Sequence, residues 1–451
     1  MDSFESFNIS KQLHYAIEDL GFKKPTLIQK EAFPVVLSGK DMVGIAQTGT
    51  GKTFAYMLPI LQELKFSKQI NPRVLIIVPT RELVVQVVEQ IEAFGKYNSV
   101  RVVGVYGGTN INTQKQLVSK GADIVVATPG RLYDLVLNRA LILKSIKKLV
   151  IDEVDVMLDL GFRFQITNIF DLLPDRRQNI MFSATMTDEI STLINDFFIN
   201  PVKVSIAVSG TPLDTISQRC FSVPNFYTKI NLVAHLLQDV ADYRKVLIFV
   251  SNKKSADRVF EVLDELFGSE LCVIHSNKTQ NYRLRSIKQF DEGHNRILVA
   301  TDVMARGLDL EKISHVINFD TPDFPENYMH RIGRTGRAGQ EGVSLLLFTE
   351  KETKAKDAIE SLMDYKIPMF DFPEEVEISE RLTPEEQPKV IEPNNPHKEA
   401  GINVPGASFH EKKEKNQKVN QRGAYQRELA KKYKKPKTRG DKNYNKNMRR
   451  K

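Results

Sequence analysis

Short apolar runs alternate with longer stretches of helical spacing along this chain, the pattern of parallel strands buried on both faces with helices between them. In the first half the predicted strands are Met42–Ala46, Val74–Val78, Val102–Tyr106, Ile124–Ala127, Leu149–Ile151 and Ile180–Phe182. After about Ile206 the pattern restarts, with Val246–Val250, Leu271–Ile274, Ile297–Ala300, Val316–Phe319 and Val343–Phe348 as strands of a second sheet. Between the halves, Val208-Ser-Gly-Thr-Pro-Leu213 carries the breakers of a linker. The expected fold class is therefore α/β: two tandem parallel-sheet domains, 1–206 and 217–370, joined by 207–216 and facing each other across a cleft. From about Phe370 the composition changes. Pro373 to Pro396 is rich in Glu and Pro, apolar periodicity then disappears, and 371–451 is expected to be a linker and a disordered tail.

The bulk numbers agree with this division. A chain of 451 residues is too long for one ordinary core. A hydrophobic content of 41% with 27% charged residues fits a globular protein. No apolar run approaches the ~18 residues needed to cross a bilayer, and MDSFESFNIS has no basic-then-apolar signal, so a cytoplasmic protein without a membrane partner is expected. Cys220 and Cys272 have neither metal spacing nor a disulfide framework, which suits a reducing compartment. The net charge of +8 is unevenly held: Glu411–Lys451 contains 17 Lys/Arg against 4 Asp/Glu, which leaves the rest of the chain net acidic. The basic character belongs to the tail.

Two segments carry chemistry. Met42–Ala46 runs into Gln47-Thr48-Gly49-Thr50-Gly51-Lys52-Thr53, a glycine-rich turn followed by a lysine, a hydroxyl and an apolar helix. Gly49 and Gly51 let the backbone turn its N–H groups toward phosphate oxygens, Lys52 adds a point charge, and the Thr53 hydroxyl reaches Mg²⁺. About 100 residues later an apolar run ends in Asp152-Glu153-Val154-Asp155. Such charge at a strand end is costly unless it holds a metal or does chemistry. Asp152 is the expected Mg²⁺ partner, Glu153 is placed to orient and deprotonate water, and Asp155 to organise its neighbours. Together these segments describe the binding and splitting of a nucleoside triphosphate.

They sit in a longer series: Gly21-Phe-Lys-Lys-Pro-Thr-Leu-Ile-Gln29, AQTGTGKT (46–53), PTREL (79–83), Gly107-Gly108, TPGR (128–131), DEVD (152–155), SAT (183–185), ATDVMARGLD (300–309) and HRIGRTGR (330–337). In order and spacing the series resembles the DEAD-box family of ATP-dependent RNA helicases over roughly residues 4–350, and within it an RhlE-type branch. The resemblance implies RecA-like domains, ATP with Mg²⁺, and RNA-stimulated hydrolysis coupled to local, non-processive unwinding of short duplexes or to remodelling of ribonucleoproteins. It implies that Gln29 reads adenine and that Phe4 stacks on it, with a core anchor as the other reading of Phe4. Asp309 resembles the ribose contact. Arg334 and Arg337 resemble arginine fingers, with His330 bridging toward the carboxylates or the γ-phosphate side, while Ser183 and Thr185 link the phosphate site to closure. For RNA it implies Thr80, Arg81, Gly108, Thr128, Gly130 and Arg131 in the first domain, and Gln280, Arg283, Thr301 and Asp302 in the second.

Sequence-independent binding of one strand calls for phosphate and 2′-OH partners more than base readers. The tail, with Lys and Arg interleaved with Tyr425, Tyr433 and Tyr444, adds a less specific RNA site or a solubilising extension. The expected partners are single-stranded and duplex RNA, with ribosomal RNA or a ribonucleoprotein as a family-level expectation, around a monomeric core. An ATP-gated RNA clamp, a tail-driven RNA chaperone and a DNA helicase are the rival readings. Two residues depart from the family pattern: Val154 stands where the family has alanine, and Ser276 where it usually has glycine.

Overall fold

The structure, a computed structural model, describes residues 3–46, 49–206, 216–302, 310, 312–336 and 341–387. The first lobe is built on β1 (Met42–Ile45), β2 (Val74–Ile77), β3 (Val102–Val105), β4 (Ile124–Ala127), β5 (Lys148–Ile151), β6 (Gln178–Ser183) and β7 (Val202–Ser205). Their order across the sheet is β3-β4-β2-β5-β6-β1-β7, and every pairing is parallel. The second lobe carries β8 (Ile216–Ser222), β9 (Val246–Val250), β10 (Leu271–Ile274), β11 (Ile297–Thr301), β12 (His315–Asn318) and β13 (Gly342–Phe348) in the order β10-β11-β9-β12-β13-β8, again all parallel.

Burial on both faces explains the near-continuous apolar runs. Val74 and Ile76 of β2 enter one core cluster, and Leu75 and Ile77 the cluster on the opposite face. In the second sheet Val246, Ile248 and Val250 point one way, and Leu247 and Phe249 the other. Val154 is fully buried with Met157 in the first lobe, so the departure beside the carboxylates is absorbed by packing.

β7 and β8 escape the apolar-run criterion for a physical reason. Each is a sheet edge, β7 bonded only to β1 and β8 within the sheet only to β13. β7 alternates apolar and polar residues (VKVS), and β8 (ISQRCFS) carries Ser217, Gln218 and Arg219 in its first half, so neither shows a continuous apolar run.

Residues 371–387, expected in the linker and tail, lie against the second lobe. Val376 is buried in its core, and Ser379 accepts from Asn225 Nδ2 at 2.6 Å and donates its N–H to Thr228 Oγ1 at 3.0 Å. Glu386 accepts the N–H of Phe226, the first residue of helix Phe226–Leu236, at 2.7 Å, while its second oxygen accepts the N–H and hydroxyl of Thr383. A carboxylate at a helix N-terminus satisfies an otherwise unpaired donor and meets the favourable end of the helix dipole. This strap is held by individual side chains rather than by a periodic apolar face, so composition alone reads it as linker.

Candidate nucleotide and nucleic-acid site

Because all strands of the first sheet are parallel, the loops after β1, β2, β3, β4, β5 and β6 share one edge, where ligands of such sheets bind. The sequence places Gly49–Thr53, Thr80-Arg81, Gly107-Gly108, Thr128–Arg131, Asp152–Asp155 and Ser183 on those loops or strand ends.

The turn after β1 needs its glycines. Gly49 and Gly51 have φ of 83° and 85°, in the left-handed region, and Gly51 caps helix Lys52–Glu63. A Cβ on Gly51 would collide with the amide of Gln29. That amide is itself part of the turn: Gln29 Oε1 accepts from Thr26 N at 3.0 Å, and Nε2 donates to Gly51 O at 3.2 Å. Gln29 thus ties the cap of helix Leu27–Leu37 to the phosphate turn. Phe4 is buried, its ring at steep angles to those of Phe7 and Phe54 with centroids 5.8 and 5.7 Å away. This packing is what the core-anchor reading of Phe4 expects.

After β5 the chain turns through Glu153 at φ 54°, a left-handed conformation that a glutamate holds at a cost of about 1–2 kcal/mol. The turn gathers three buried carboxylates beside Lys52. Burial pushes the Asp152 and Glu153 carboxyls above their ordinary range, opposed by the charge of Lys52 and, for Glu153, also by that of Arg334 from the second lobe. Tyr56, fully buried, donates its phenol to Asp152 Oδ2 at 3.1 Å. Burial first, and then the neighbouring Asp152 charge, raise the phenol far above its ordinary pKa, so it remains a donor. Asp155 Oδ2 accepts the N–H of Ala184 at 3.0 Å, and Ser183 Oγ accepts that of Thr185 at 3.3 Å, which joins the acidic turn to the end of β6.

Lys52 Nζ, Asp152 Oδ1, Glu153 Oε2 and Asp155 Oδ1 are all buried, and none has a hydrogen-bond partner among the described residues. Leaving such groups unpaired costs about 1–3 kcal/mol each, more when charged. A polyphosphate with a divalent cation supplies both missing partners: anionic oxygens for Lys52, and a cation with its waters for the carboxylates. Among the described residues no three His, Cys, Asp or Glu side chains form a metal cage.

The second lobe reaches this point through helix Pro325–Ile332 and the turn after it. His330 Nε2 lies 3.7 Å from Asp155 Oδ2. Arg334 is buried, donates Nε to His330 O at 3.3 Å and acts electrostatically on Glu153. Thr48, Asp309 and Arg337 lie outside the described residues.

The nucleic-acid candidates divide. Arg81 lies over Gly108, whose φ is 79°, and a Cβ there would overlap its guanidinium. The Thr80 hydroxyl accepts from Leu83 N at 3.2 Å and caps helix Arg81–Phe94. Thr128 precedes helix Pro129–Leu137, Gly130 has open space where a side chain would stand, and Arg131 donates to Gln114 Oε1 at 2.7 Å and Thr109 O at 2.9 Å. Thr301 ends β11, partly exposed.

Asp302 is engaged within its own lobe: both its oxygens accept from Arg331, at 2.6 and 2.8 Å, and Arg331 is fully buried. Its carboxylate is committed to a fork-shaped ion pair and is poorly suited to an anionic ligand. Gln280 and Arg283 are also not disposed as free RNA contacts. Arg283 Nη2 and Gln280 Nε2 each stand 3.2 Å from Oε1 of Glu82 in the first lobe, with the side chains of Arg283 and Glu82 only 6% and 3% exposed. Sequence reasoning missed the roles of Tyr56, Glu82, Gln114 and Arg331. Only Glu82 and Arg331 lie inside quoted motifs, where their position was a usable signal.

Residues 26–193 match the family described as DEAD/DEAH box helicase, and residues 228–339 the helicase conserved C-terminal domain. The chain is 37% identical over 398 residues to the DEAD-box ATP-dependent RNA helicase CshA of Bacillus cereus, covering 88% of this chain and 75% of that protein. S. cerevisiae Dbp5 bound to RNA and ADP BeF3 superposes with a TM-score of 0.76 at 29% identity, over 82% of this chain and 96% of the other. A point variant of S. cerevisiae Dbp5 bound to Nup159, a Gle1 variant, IP6 and ADP gives 0.58 at 28% identity, over the same shares. The lobes here are therefore disposed more like the form holding RNA and ADP BeF3.

Proposed function

The chain belongs to the DEAD-box family of ATP-dependent RNA helicases, and from that premise we propose that ATP and one RNA strand each bridge its two lobes, so that either ligand favours closure and thereby the other. The observation that carries this reading is the convergence of groups from both lobes on one point: Lys52, Asp152 and Glu153 from the first, Arg334 and His330 from the second.

On this reading Gly49, Thr50, Gly51 and Lys52 cradle the phosphates, Gln29 senses the base end, and Thr53 and Asp152 hold Mg²⁺. When bound, the ion neutralises phosphate charge during transfer. Glu153 orients the attacking water and takes its proton. Arg334, with Arg337, offsets the charge that develops on the γ phosphate. Asp155, Ser183, Thr185 and His330 couple this site to closure. Arg81, Gly108, Thr128, Gly130, Arg131 and Thr301 line the path of the RNA, and Arg283 and Gln280 act on it through closure. A strand bent by closure no longer fits a duplex, so short helices open locally, and phosphate release reopens the cleft.

The finer proposals are an RhlE-type branch, a cytoplasmic, monomeric protein acting on structured or ribosomal RNA, domains at 1–206 and, with the strap included, 216–387, and a basic tail that binds RNA without sequence preference. The first and last rest on motif wording and on charge. The test is RNA-stimulated ATPase and strand displacement with Glu153→Gln. Its turnover number should fall by at least ~100-fold while ATP-dependent RNA binding persists. Hydrolysis at the wild-type rate would remove Glu153 from the role of base. Equal stimulation by DNA would favour the DNA-helicase reading, and hydrolysis without displacement the clamp.

A further inference from the structure

Tyr56 lies one turn into helix Lys52–Glu63, four residues after Lys52 and three after Thr53, on the face those residues present to the phosphate turn. Its ring has no exposed surface and packs against Phe182 of β6 with centroids 5.6 Å apart. Phe182 in turn fills the space over Gly44 of β1, where a Cβ would collide with its ring. The phenol is thus held from behind by two strands of the sheet. At its open end it donates to Asp152 Oδ2 at 3.1 Å, with the Thr53 hydroxyl as its other polar neighbour. One hydroxyl therefore grips Asp152 and neighbours Thr53, the two side chains assigned to the ion, and it leaves Asp152 Oδ1 as the oxygen without a partner among the described residues.

We propose that Tyr56 is a positioning residue for Mg²⁺: its hydroxyl holds the Asp152 carboxylate and the Thr53 hydroxyl in the orientation that leaves one carboxylate oxygen and the threonine lone pairs turned to the ion. A group that grips a metal-holding carboxylate from behind sets its direction and basicity, and removing it costs about 10–100-fold in metal affinity. The inference rests on the assignment of Thr53 and Asp152 to the ion under Proposed function.

Tyr56→Phe removes the hydroxyl and keeps the ring that Phe182 requires. Binding of a fluorescent ATP analogue to the full chain, followed as Mg²⁺ is titrated, gives the half-saturating Mg²⁺ concentration without any turnover. In Tyr56→Phe this concentration should rise about tenfold, with analogue affinity in EDTA unchanged and the thermal midpoint lowered by only a few degrees. A titration curve superimposable on wild type would overturn the proposal, however much the midpoint fell, because a phenol that merely satisfies its own burial moves stability alone. The two readings fail separately. Wild-type binding indifferent to Mg²⁺ would refute the ion assignment itself, whereas an Mg²⁺-dependent wild type with an unshifted variant refutes only the role of Tyr56.

Discussion

Glu82→Gln measures how much of lobe closure is carried by one buried ion pair. Glu82 stands on helix Arg81–Phe94 and Arg283 on helix Gln280–Asp291, so their 3.2 Å contact exists only when the lobes are together. With both side chains almost fully covered, solvent screening offers little discount. Removing one partner of a buried pair costs about 3–5 kcal/mol because the other charge is left uncompensated. When the lobes part, water solvates the arginine and the penalty vanishes, so it falls on the closed form. At about 3 kcal/mol the closure equilibrium shifts roughly 150-fold. A population about 99% closed with both ligands bound would drop to about 40%. Dyes on the two lobes, read by energy transfer with an ATP analogue and RNA present, report that fraction directly. A double-mutant cycle with Arg283→Met then isolates the pair, since Arg283 has further contacts of its own. The reasoning is refuted if Glu82→Gln closes within threefold of wild type, or if the two substitutions are additive. A result in which Glu82→Gln binds RNA more tightly without nucleotide would return Arg283 to the role of phosphate contact.

Asp302→Asn should lower the stability of the second lobe by about 3 kcal/mol, read as a reduced urea midpoint, because Arg331 keeps its charge in a buried site. Loss of RNA affinity at unchanged stability would restore the RNA role of Asp302. Ending the chain at Gln387 should leave ATPase activity in place and, with about five tail cations lost from RNA, reduce the slope of log affinity against log salt by roughly 3.5. An unchanged slope would mark the tail as a solubilising extension. Ending it at Phe370 removes the Glu386 cap and the burial of Val376 as well, about 1 and 2 kcal/mol. The melting point of the second lobe should then fall by roughly 6–12 °C, and equal melting points for the two truncations would show that the strap contributes nothing.

What the chain discloses about itself follows from whether the cause is local. Central strands such as Val74–Ile77 are legible because burial on both faces writes itself into consecutive residues. The phosphate turn is legible because Gly51 and Lys52 must be neighbours to do their work. β7 and β8 are not, since polar residues interrupt both strands and short loops show the same mixture. Asp302 reads equally well as an RNA contact or as an ion-pair partner until Arg331, 29 residues on, is seen to fold back on it. Glu82 and Tyr56 are quieter still, because what makes each matter is a partner 201 or 96 positions away along the chain. Phe4 shows the same limit: an aromatic at the right distance from Gly21 serves the core or a base, and its packing among Phe7 and Phe54 is visible only in the fold.

The place of β1 in its sheet also orders the birth of the protein. The strand that carries the phosphate turn pairs with β6 at Ile180–Ser183 and with β7 at Val202–Ser205, and with no strand made soon after it. On the ribosome it emerges early and then has no mate until β6, about 140 residues later (Met42 to Ile180), a wait of roughly 7–30 s at ordinary rates of synthesis. The middle of the sheet, β2 with β4 and β5, is complete sooner and offers β6 the edge on which β1 finally docks. Closing such a long loop late makes the first lobe a slow folder. Nucleotide cannot chaperone its early steps, because the cradle does not exist until the last strands arrive.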